Sequence, residues 1–292
     1  MPGTEFEESA VEGRAVTGKA TSAPEWKAVV AAWDRYRDRL FSLTRHVSDW
    51  LVNEVDPRPG QTILELAAGP GETGFLVAER VGETGTLISS DVDADMVTAA
   101  RRGAAAKGFK NVDFRLMDAQ DIDLPDQSVD GALCRFGMML LGEPAKAMSG
   151  VRRVLREGGR FAYAVIGQPE QNPWLSMLGR ALVECGHEPP FDPSGPGPFS
   201  LADPNTNRVL LERAGFSAVT VDRLEGAGTY RDFDEYWEMQ SKLSGPIATF
   251  IASLDAERVA EVRGALRRLV EPFVSGTTLS LPSNTVVAAG TA

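Results

Sequence analysis

The segment that decides the fold is Ile63–Phe75, with the sequence ILELAAGPGETGF. An apolar run typical of a buried strand stops at three glycines, after which apolar residues return at helical spacing. This order predicts a strand, a tight turn and the first turn of a helix. Glycine in such a turn lets a ligand approach the backbone, where a side chain would otherwise block it. The spacing Gly69-x-Gly71-x-x-Gly74 also fits a dinucleotide fingerprint, so the turn indicates a nucleotide-like ligand without saying which one.

The composition of the chain limits the functions that it can have. Its 292 residues are 43% hydrophobic and 24% charged, which is ordinary for a globular protein of one large domain or two small ones. The formal net charge of -11 disfavours nonspecific binding to nucleic acid, because the phosphates would be repelled. We expect no membrane span, since no apolar run approaches the required ~18 residues. An acidic N-terminus without a signal core and only two cysteines together predict a cytoplasmic protein.

Strand-like and helix-like segments alternate from residue 61 to residue 166. Strands are predicted near 61–67, 85–90, 111–116, 129–134 and 159–166, and helices near 72–81, 94–107 and 143–156. Strands separated by single helices imply right-handed crossovers and a parallel sheet. The prediction is therefore an α/β fold with a Rossmann-like, mostly parallel sheet and helices on both faces.

Other segments are predicted to flank or interrupt this core. Two N-terminal helices are expected, the second from about Ser42 to Val55. A helix near 205–214 and a strand near 216–224 resume the core, and helical patterns return over 231–274 before a last strand at 285–289. The segment 168–204 is rich in proline and glycine, which is typical of lids and binding loops. The predicted organisation is 1–20 disordered, 21–58 N-terminal helices, 59–167 core, 168–204 lid, 205–228 core continued, 229–276 helical cap and 277–292 last strand.

Two further strand ends bring a carboxylate to the edge of the sheet where the glycine turn lies. Asp91 follows the second strand, where an acidic residue accepts hydrogen bonds from ribose hydroxyls. The alternative is a helix N-cap, which Asp91 or Asp93 could supply. Asp118 follows the third strand, and its alternative is a solvated loop carboxylate. Because ligands of open parallel sheets bind beyond the carboxyl ends of the strands, the convergence of three strand ends favours a binding site.

The run from Glu65 through Ser90–Met96 and Asp118-Ala119 to Leu124-Pro125 resembles class I S-adenosylmethionine-dependent methyltransferases. It is most similar to the ubiquinone/menaquinone-biosynthesis methyltransferase group, over roughly residues 60–166. The resemblance implies a seven-stranded sheet with an antiparallel last strand. One departure is that the commonest turn of the family is Asp-x-Gly-x-Gly-x-Gly, whereas this chain has Glu65 followed by Ala67-Ala68.

The resemblance also implies a cofactor, S-adenosylmethionine, and roles for residues at the strand ends. The methionine end of the cofactor would be held by Glu65, Ala67, Gly69 and Gly71. The ribose would be held by Asp91. The adenine would lie between Val92 and Met96, with its edge read by Asp118 and Ala119. Arg135, after the fourth strand, would border the methyl donor.

The methyl acceptor is less well defined by the sequence. Arg135, Phe136 and Met139 lie in a segment that borders donor and acceptor in the related enzymes, although core packing is the alternative for the apolar ones. Tyr36 and Trp174 are candidates for an aromatic acceptor pocket, with ordinary packing as the alternative. The weak candidates for a catalytic group are His46, His187 and Arg135. No metal is expected, because the two histidines and two cysteines have no ligand spacing.

The function predicted from these features is direct, in-line transfer of a methyl group to a small, hydrophobic or aromatic metabolite. Such a reaction requires alignment of the acceptor and exclusion of water, and a base only where the acceptor must lose a proton. The first alternative is an NAD(P)-dependent oxidoreductase that uses the glycine turn. The second is a noncatalytic regulator that binds S-adenosylmethionine. The expected partner is a small-molecule acceptor and not nucleic acid, and the sequence is compatible with a homodimer.

Overall fold

The computed structural model describes residues 30–188 and 195–292. Three predictions lie wholly or partly outside the described residues. They concern residues 1–20, the part of the first N-terminal helix before residue 30, and residues 189–194 of the lid predicted for 168–204. The strands are β1 (Thr62–Glu65), β2 (Thr86–Asp91), β3 (Val112–Leu116), β4 (Val129–Arg135), β5 (Leu155–Ile166), β6 (Ser217–Tyr230), β7 (Val274–Ser275) and β8 (Thr278–Thr291). The helices are α1 (Val30–Val55), α2 (Glu72–Val81), α3 (Ala94–Lys107), α4 (Pro144–Val154), α5 (Pro173–Glu184), α6 (Pro204–Arg213), α7 (Phe233–Leu243), α8 (Pro246–Ser253) and α9 (Ala256–Val270).

The strands form one eight-stranded sheet in the order β3-β2-β1-β4-β5-β8-β6, and the two-residue strand β7 pairs with β8. Strands β1 to β5 run parallel, whereas β8 runs antiparallel to both β5 and β6. The predicted α/β fold with a mostly parallel sheet and an antiparallel last strand is confirmed. The strand order reverses between β1 and β4, which is where open α/β sheets bind ligands.

Helices cover both faces of the sheet, as predicted. On one face, Val47 and Leu51 of α1 and Val77 of α2 pack against apolar side chains of β1, β2 and β4. On the other face, Val151 of α4 and Leu211 of α6 pack against β1, β4 and β5. Full burial of each such side chain stabilises the fold by about 1.5–3 kcal/mol.

A further apolar core lies beside the sheet. Leu178 of α5, Tyr236 of α7 and Leu266 of α9 are buried together with Tyr230 and Leu279, at the ends of β6 and β8. The helical patterns predicted for 231–274 therefore form helices that pack on the end of the sheet. None of the helices in the described ranges combines the length and the apolar character needed to cross a membrane.

Helix α1 is continuous from Val30 to Val55, whereas the sequence predicted a new helix at about Ser42. The hydroxyl of Ser42 bonds back to the carbonyl of Arg39 one turn earlier, so this serine is satisfied inside the helix. No proline or glycine interrupts the segment. The predicted boundary at Ser42 was wrong, and one long helix borders the sheet.

Strands β6 and β8 are longer than predicted. They pair from Ser217 opposite Thr291 to Tyr230 opposite Leu279, whereas the sequence predicted an end near residue 224. The additional part of β6 contains Gly226 and Gly228, which are typical of turns in a sequence. In the structure these glycines continue the strand, and neighbouring side chains lie against them.

Candidate cofactor and acceptor site

The glycine turn after β1 is built from residues in the left-handed region of backbone space. Ala67, Gly69 and Gly71 have φ angles of 49°, 55° and 92°. A side chain on Gly69 would meet no atom within 4 Å, so this part of the turn faces open space. The methyl group of Ala67 packs closely on Gly137, where an added Cβ would lie 2.5 Å from it. The turn therefore exposes its backbone at Gly69 and is fixed on its other side by the loop after β4.

Glu65 holds the glycine turn in place through hydrogen bonds to its carboxyl group. Its carboxyl group is buried, and Oε1 accepts a hydrogen bond from the backbone N–H of Gly74 at 2.9 Å. The Ser89 hydroxyl donates to Oε2 at 3.4 Å. Burial raises the pKa of Glu65 to about 8, and the nearby charge of Arg135 opposes this shift. Glu65 thus ties β1, β2 and the first turn of α2 together.

The third glycine of the motif, Gly74, is required for a different reason than Gly69 and Gly71. A Cβ on Gly74 would lie 2.1 Å from Oε2 of Glu65. Gly74 is therefore needed so that the buried carboxyl group can bind the helix N-terminus. The sequence did not predict this role, because the spacing of the motif suggested an approach by the ligand.

The two aspartates after β2 have separate roles. Asp93 is the N-cap of α3 and accepts hydrogen bonds from the N–H groups of Asp95 and Met96 at 2.8 and 3.1 Å. Asp91 accepts from the N–H groups of Gly69 at 2.9 Å and Asp93 at 3.0 Å. Burial raises the pKa of Asp91, and these hydrogen bonds oppose the shift. The N-cap alternative for Asp91 is not borne out, and its carboxylate has lone pairs left to accept further donors.

The end of β3 lies beside Asp91. The N–H of Met117 donates to the Asp91 carbonyl at 2.9 Å, and Asp118 accepts from the N–H of Gln120 at 2.8 Å. Val92 is apolar and yet 53% exposed. Met96 and Ala119 are buried. The three strand ends predicted to converge do so, and they combine carboxylates with an apolar surface.

Helix α1 crosses the glycine turn after β1. Charged contacts between this helix and the turn were not predicted. Arg37 forms an ion pair with the buried Glu72 at 3.0 Å and donates to the Pro70 carbonyl at 2.9 Å. The Ser48 and Thr73 hydroxyls are 2.8 Å apart. No motif in the sequence marks Arg37 or Glu72, because the partner of a helix-surface arginine depends on the tertiary structure.

Arg135, at the end of β4, also connects α1 to the site. Its guanidinium donates to the hydroxyl of Thr44 and lies near Glu65 and Glu72. Burial lowers the pKa of Arg135, and the two carboxyl groups oppose this shift. The guanidinium carbon lies 5.7 Å from the ring centre of Phe136. These contacts make Arg135 a bridge between the glycine turn and the residues that follow β4.

A depression adjoins Phe136. It is shallow: about 280 Å³ of empty space includes the open mouth, and the space inside has room for about one water molecule. Its lining comes from α1, the loop after β4, α5, β6 and β8, and consists of Leu43, Thr44, His46, Val47, Phe136, Trp174, Gly228, Ser283 and Thr285. Two residues that the sequence proposed for the acceptor, Phe136 and Trp174, therefore lie together with the catalytic candidate His46.

Residues 57–183 match the family model of a methyltransferase domain. This segment is less than half of the chain, and over it the chain is similar to the methyltransferases that the sequence resembles. The family resemblance found in the sequence is confirmed, and S-adenosylmethionine is the cofactor of this domain.

The relatives of the methyltransferase domain differ in what their names say they act on. An arsenite methyltransferase of Halobacterium salinarum is 34% identical over 164 residues, which are 56% of this chain and 39% of the relative. The ubiquinone/menaquinone biosynthesis C-methyltransferase UbiE of Coxiella burnetii is 27% identical over 150 residues, which are 51% of this chain and 60% of the relative. This chain thus covers less than two thirds of either relative.

Similarity to solved structures extends beyond the matched domain. The YcgJ protein of Bacillus subtilis superposes with a TM-score of 0.57 at 20% identity, over 85% of this chain and 98% of the other. At this identity the likeness shows the fold alone. It agrees with the sheet order and the antiparallel last strand described above.

Three acceptor-side candidates of the methyltransferase lie away from the depression. The Tyr36 hydroxyl donates a hydrogen bond to Glu238 of α7, and its ring packs in the apolar core beside the sheet, which we call the helical core. Met139 is buried in the core, where its sulfur accepts from the N–H of Ile166 at 3.4 Å. His187 packs edge-on against Phe250 of α8, with ring centres 5.3 Å apart. The geometry does not support their predicted acceptor or catalytic roles.

The cysteine of β4 has no nucleophilic role in this site. Burial raises the pKa of Cys134 to about 12. The N–H groups of Gly137 and Met138 oppose the shift. At neutral pH the thiol therefore stays protonated, and Cys134 acts as a small core residue.

Proposed function

We propose that this protein transfers the methyl group of S-adenosylmethionine to a small, neutral, hydrophobic or aromatic acceptor. The observation that carries this proposal is the continuity of two sites. The converging ends of β1, β2 and β3 adjoin the depression through Arg135 and Phe136. A methyl donor on the first side and an acceptor on the second would meet near these residues.

The residues present fit the cofactor. In this proposal its methionine end lies on the open face of the turn at Ala67, Gly69 and Gly71, with Glu65 holding the turn in place. The ribose hydroxyls donate to the free lone pairs of Asp91. The adenine lies on the apolar surface of Val92 and Met96, with Asp118 and Ala119 at its edge, and Arg135 borders the methionine end. When bound, the cofactor supplies a methyl group already activated by its sulfonium.

The contribution of the protein is then to orient the acceptor and to keep water out. Phe136 and Trp174 offer apolar faces to the acceptor. Among the described residues that line the depression, none is an aspartate, glutamate, lysine or arginine. A charged acceptor would find no partner at this lining, so a neutral one is favoured.

The cysteines disfavour arsenite as the acceptor of this chain. Soft, thiol-binding centres are held by clustered thiolates. Cys134 is buried, whereas Cys185 follows α5 and belongs to the helical core. The two thiols therefore do not form a joint site, and an organic acceptor fits the lining better. We also infer a cytoplasmic location, since both cysteines are free in the structure.

Isothermal titration tests the proposal against its alternatives. S-adenosylhomocysteine should bind and NADH should not. Binding of NADH without S-adenosylhomocysteine would overturn the proposal in favour of an oxidoreductase. Trapping of tritiated methyl groups on organic acceptors then separates an enzyme from a noncatalytic regulator, which binds the cofactor and transfers nothing to any acceptor of a broad panel.

A further inference from the structure

Two glycines toward the end of β6, Gly226 and Gly228, form a surface without side chains of its own, which we call the floor. Gly226 and Gly228 are two residues apart, so they lie on the same face of the strand. Glycine in the interior of a strand weakens it and often marks a place where a ligand or another group approaches closely. Gly228 lines the depression beside Phe136. The floor therefore belongs to the proposed acceptor site.

Polar groups from two different elements converge on Gly226. An added Cβ there would lie 2.8 Å from Nε2 of His46 and 3.0 Å from Oγ of Ser283. His46 comes from α1 and Ser283 from β8, and both line the depression. The absence of a side chain at Gly226 is what lets the imidazole reach this position.

Above Gly228 lie an aromatic side chain and a second hydroxyl. An added Cβ there would lie 3.3 Å from both Cβ of Trp174 and the hydroxyl oxygen of Tyr230. The floor is thus bordered by three neutral hydrogen-bonding groups, from His46, Ser283 and Tyr230, with Trp174 beside them.

The hydroxyl of Tyr230 is the second observation that indicates a ligand. Tyr230 is fully buried, and its oxygen has no well-formed hydrogen bond within the described residues. Gln240 lies close enough to oppose the rise in the pKa of Tyr230 caused by burial. The ring packs edge-on against Tyr236, with centres 4.9 Å apart. A buried hydroxyl whose hydrogen bond to Gln240 is poorly formed is costly, so a group that completes its hydrogen bonding would be favoured here.

From this convergence we infer that the methyl acceptor carries a phenol-type hydroxyl, that Tyr230 and Ser283 orient it, and that His46 takes its proton. The inference rests on the proposed function and deepens it. Phe136 and Trp174 both line the depression, which would have to widen to admit an aromatic ring between them. A purely apolar acceptor would leave the polar groups of the floor unpaired, which disfavours it.

The step that His46 assists is balanced as follows. Nε2 of His46 accepts the hydroxyl proton, and the acceptor oxygen forms a bond to the methyl carbon. The carbon–sulfur bond breaks, and its electron pair stays on sulfur. The products are a methyl ether, S-adenosylhomocysteine and a protonated His46, which returns its proton to solvent. Without a base, a phenol-type hydroxyl remains largely protonated at neutral pH and attacks slowly.

Two acceptors of nearly equal size test the role of His46. The 292-residue protein is given S-adenosylmethionine with a tritiated methyl group and either 4-ethylphenol or 4-ethylthiophenol. The thiol is largely ionised at pH 8 and needs no base. His46→Gln should lower the rate on the phenol about 100-fold. On the thiophenol the rate should change less than about threefold, because the step that His46 assists is bypassed.

His187→Gln is the matched control, because His187 lies against Phe250 and away from the depression. This variant should methylate both compounds like the wild type. Equal losses on phenol and thiophenol in His46→Gln would show a packing role for His46 and overturn its assignment as a base. Unchanged rates in His46→Gln would overturn it as well.

Tyr230→Phe tests the hydroxyl alone. We expect KM for 4-ethylphenol to rise about tenfold, because one hydrogen bond to the acceptor is lost. The melting temperature should not fall, since the variant removes a buried hydroxyl that lacks a well-formed partner. A lower melting temperature with an unchanged KM would assign the hydroxyl to a structural bond with Gln240 and overturn this part of the inference.

Titration with S-adenosylhomocysteine separates failure of this inference from failure of the proposed function. If S-adenosylhomocysteine binds but neither compound is methylated, the phenol-type acceptor is overturned while the proposed methyl transfer still stands. If S-adenosylhomocysteine does not bind, the proposed function itself fails. Methylation of both compounds, with the selective loss in His46→Gln, is the result that supports the inference.

Discussion

Replacing Gly74 with alanine should destabilise the fold, although alanine is the better helix former. Gly74 lies in the first turn of α2, and its N–H donates to the buried Glu65 carboxyl at 2.9 Å. A methyl group at this position would lie 2.1 Å from Oε2 of Glu65 and 2.8 Å from Cδ2 of Leu87. Because nonbonded atoms do not approach so closely, the carboxyl group must leave its position and its hydrogen bond.

The size of the effect follows from three contributions. Loss of a hydrogen bond to a carboxyl group in this buried place costs about 1.5–3 kcal/mol. Overpacking against Leu87 adds about 1–3 kcal/mol. The higher helix propensity of alanine returns about 1 kcal/mol. We therefore expect Gly74→Ala to lower the free energy of unfolding by about 1.5–5 kcal/mol.

Urea unfolding followed by circular dichroism measures this difference. Gly179→Ala is the matched control, because this glycine also lies in a helix but its nearest neighbour, Cδ1 of Ile247, would be 3.9 Å from an added Cβ. The control should be stabilised by up to about 1 kcal/mol, through helix propensity alone. Equal stabilisation of both variants would refute the steric reasoning.

A double-mutant cycle assigns the loss to the carboxyl group. In a Glu65→Ala background the clash with Oε2 is absent, so Gly74→Ala should cost at least about 1 kcal/mol less than it does in the wild type. If the cost of Gly74→Ala is the same in both backgrounds, Glu65 is not the group that requires glycine at this position. Leu87 would then be the cause.

The other expectations concern charge. Burial raises the pKa of Glu65 from 4.5 to about 8, so stability present at acidic pH is lost as pH rises through 8. Relative to Glu65→Gln, the wild type should lose a few kcal/mol of unfolding free energy between about pH 5 and 9, and parallel curves would contradict this. Asp91→Ala should raise the Kd of S-adenosylhomocysteine at least about tenfold in isothermal titration. Asp93→Ala should instead lower stability by about 1 kcal/mol through its lost N-cap, with cofactor binding nearly unchanged, and the opposite pattern would exchange the two roles. Arg37→Met leaves the buried Glu72 unpaired and should cost about 3–5 kcal/mol in urea unfolding. Adding Glu72→Gln should recover part of that loss, and no recovery would show that the ion pair is not the cause.

Local patterns were sufficient to predict the core of the fold. Alternating apolar runs and glycine breaks located β1 to β5 and the helices between them to within a few residues. The rule that strand ends converge correctly brought Asp91 to the glycine turn and the end of β3 beside Asp91. These features depend on neighbours in the sequence or on the topology of a parallel sheet, so the sequence contains them.

Features that depend on a distant neighbour could not be predicted in this way. The continuity of α1 through Ser42 depends on packing against the sheet, and the length of β6 depends on its pairing with β8. The reason for Gly74 is a carboxyl group nine residues earlier in the chain. Tyr36 and His187 are of residue types that are common in binding pockets, but in the structure they pack against other helices. Periodicity indicates which side of an element is apolar, and not which element covers it.

Strand β8 lies between β5 and β6 although it follows both in the chain. Thr291 pairs with Arg160 on one side and Ser217 on the other. A growing chain can assemble β1 to β5, but the edge of β5 stays unpaired until β8 emerges, and β6 has no strand to join before then. During synthesis the nascent protein therefore presents an open sheet edge, which is the part of a fold most prone to pair with another molecule. Segments added to this chain between β5 and β8 would lengthen the time for which the edge of β5 stays exposed, without touching the glycine turn.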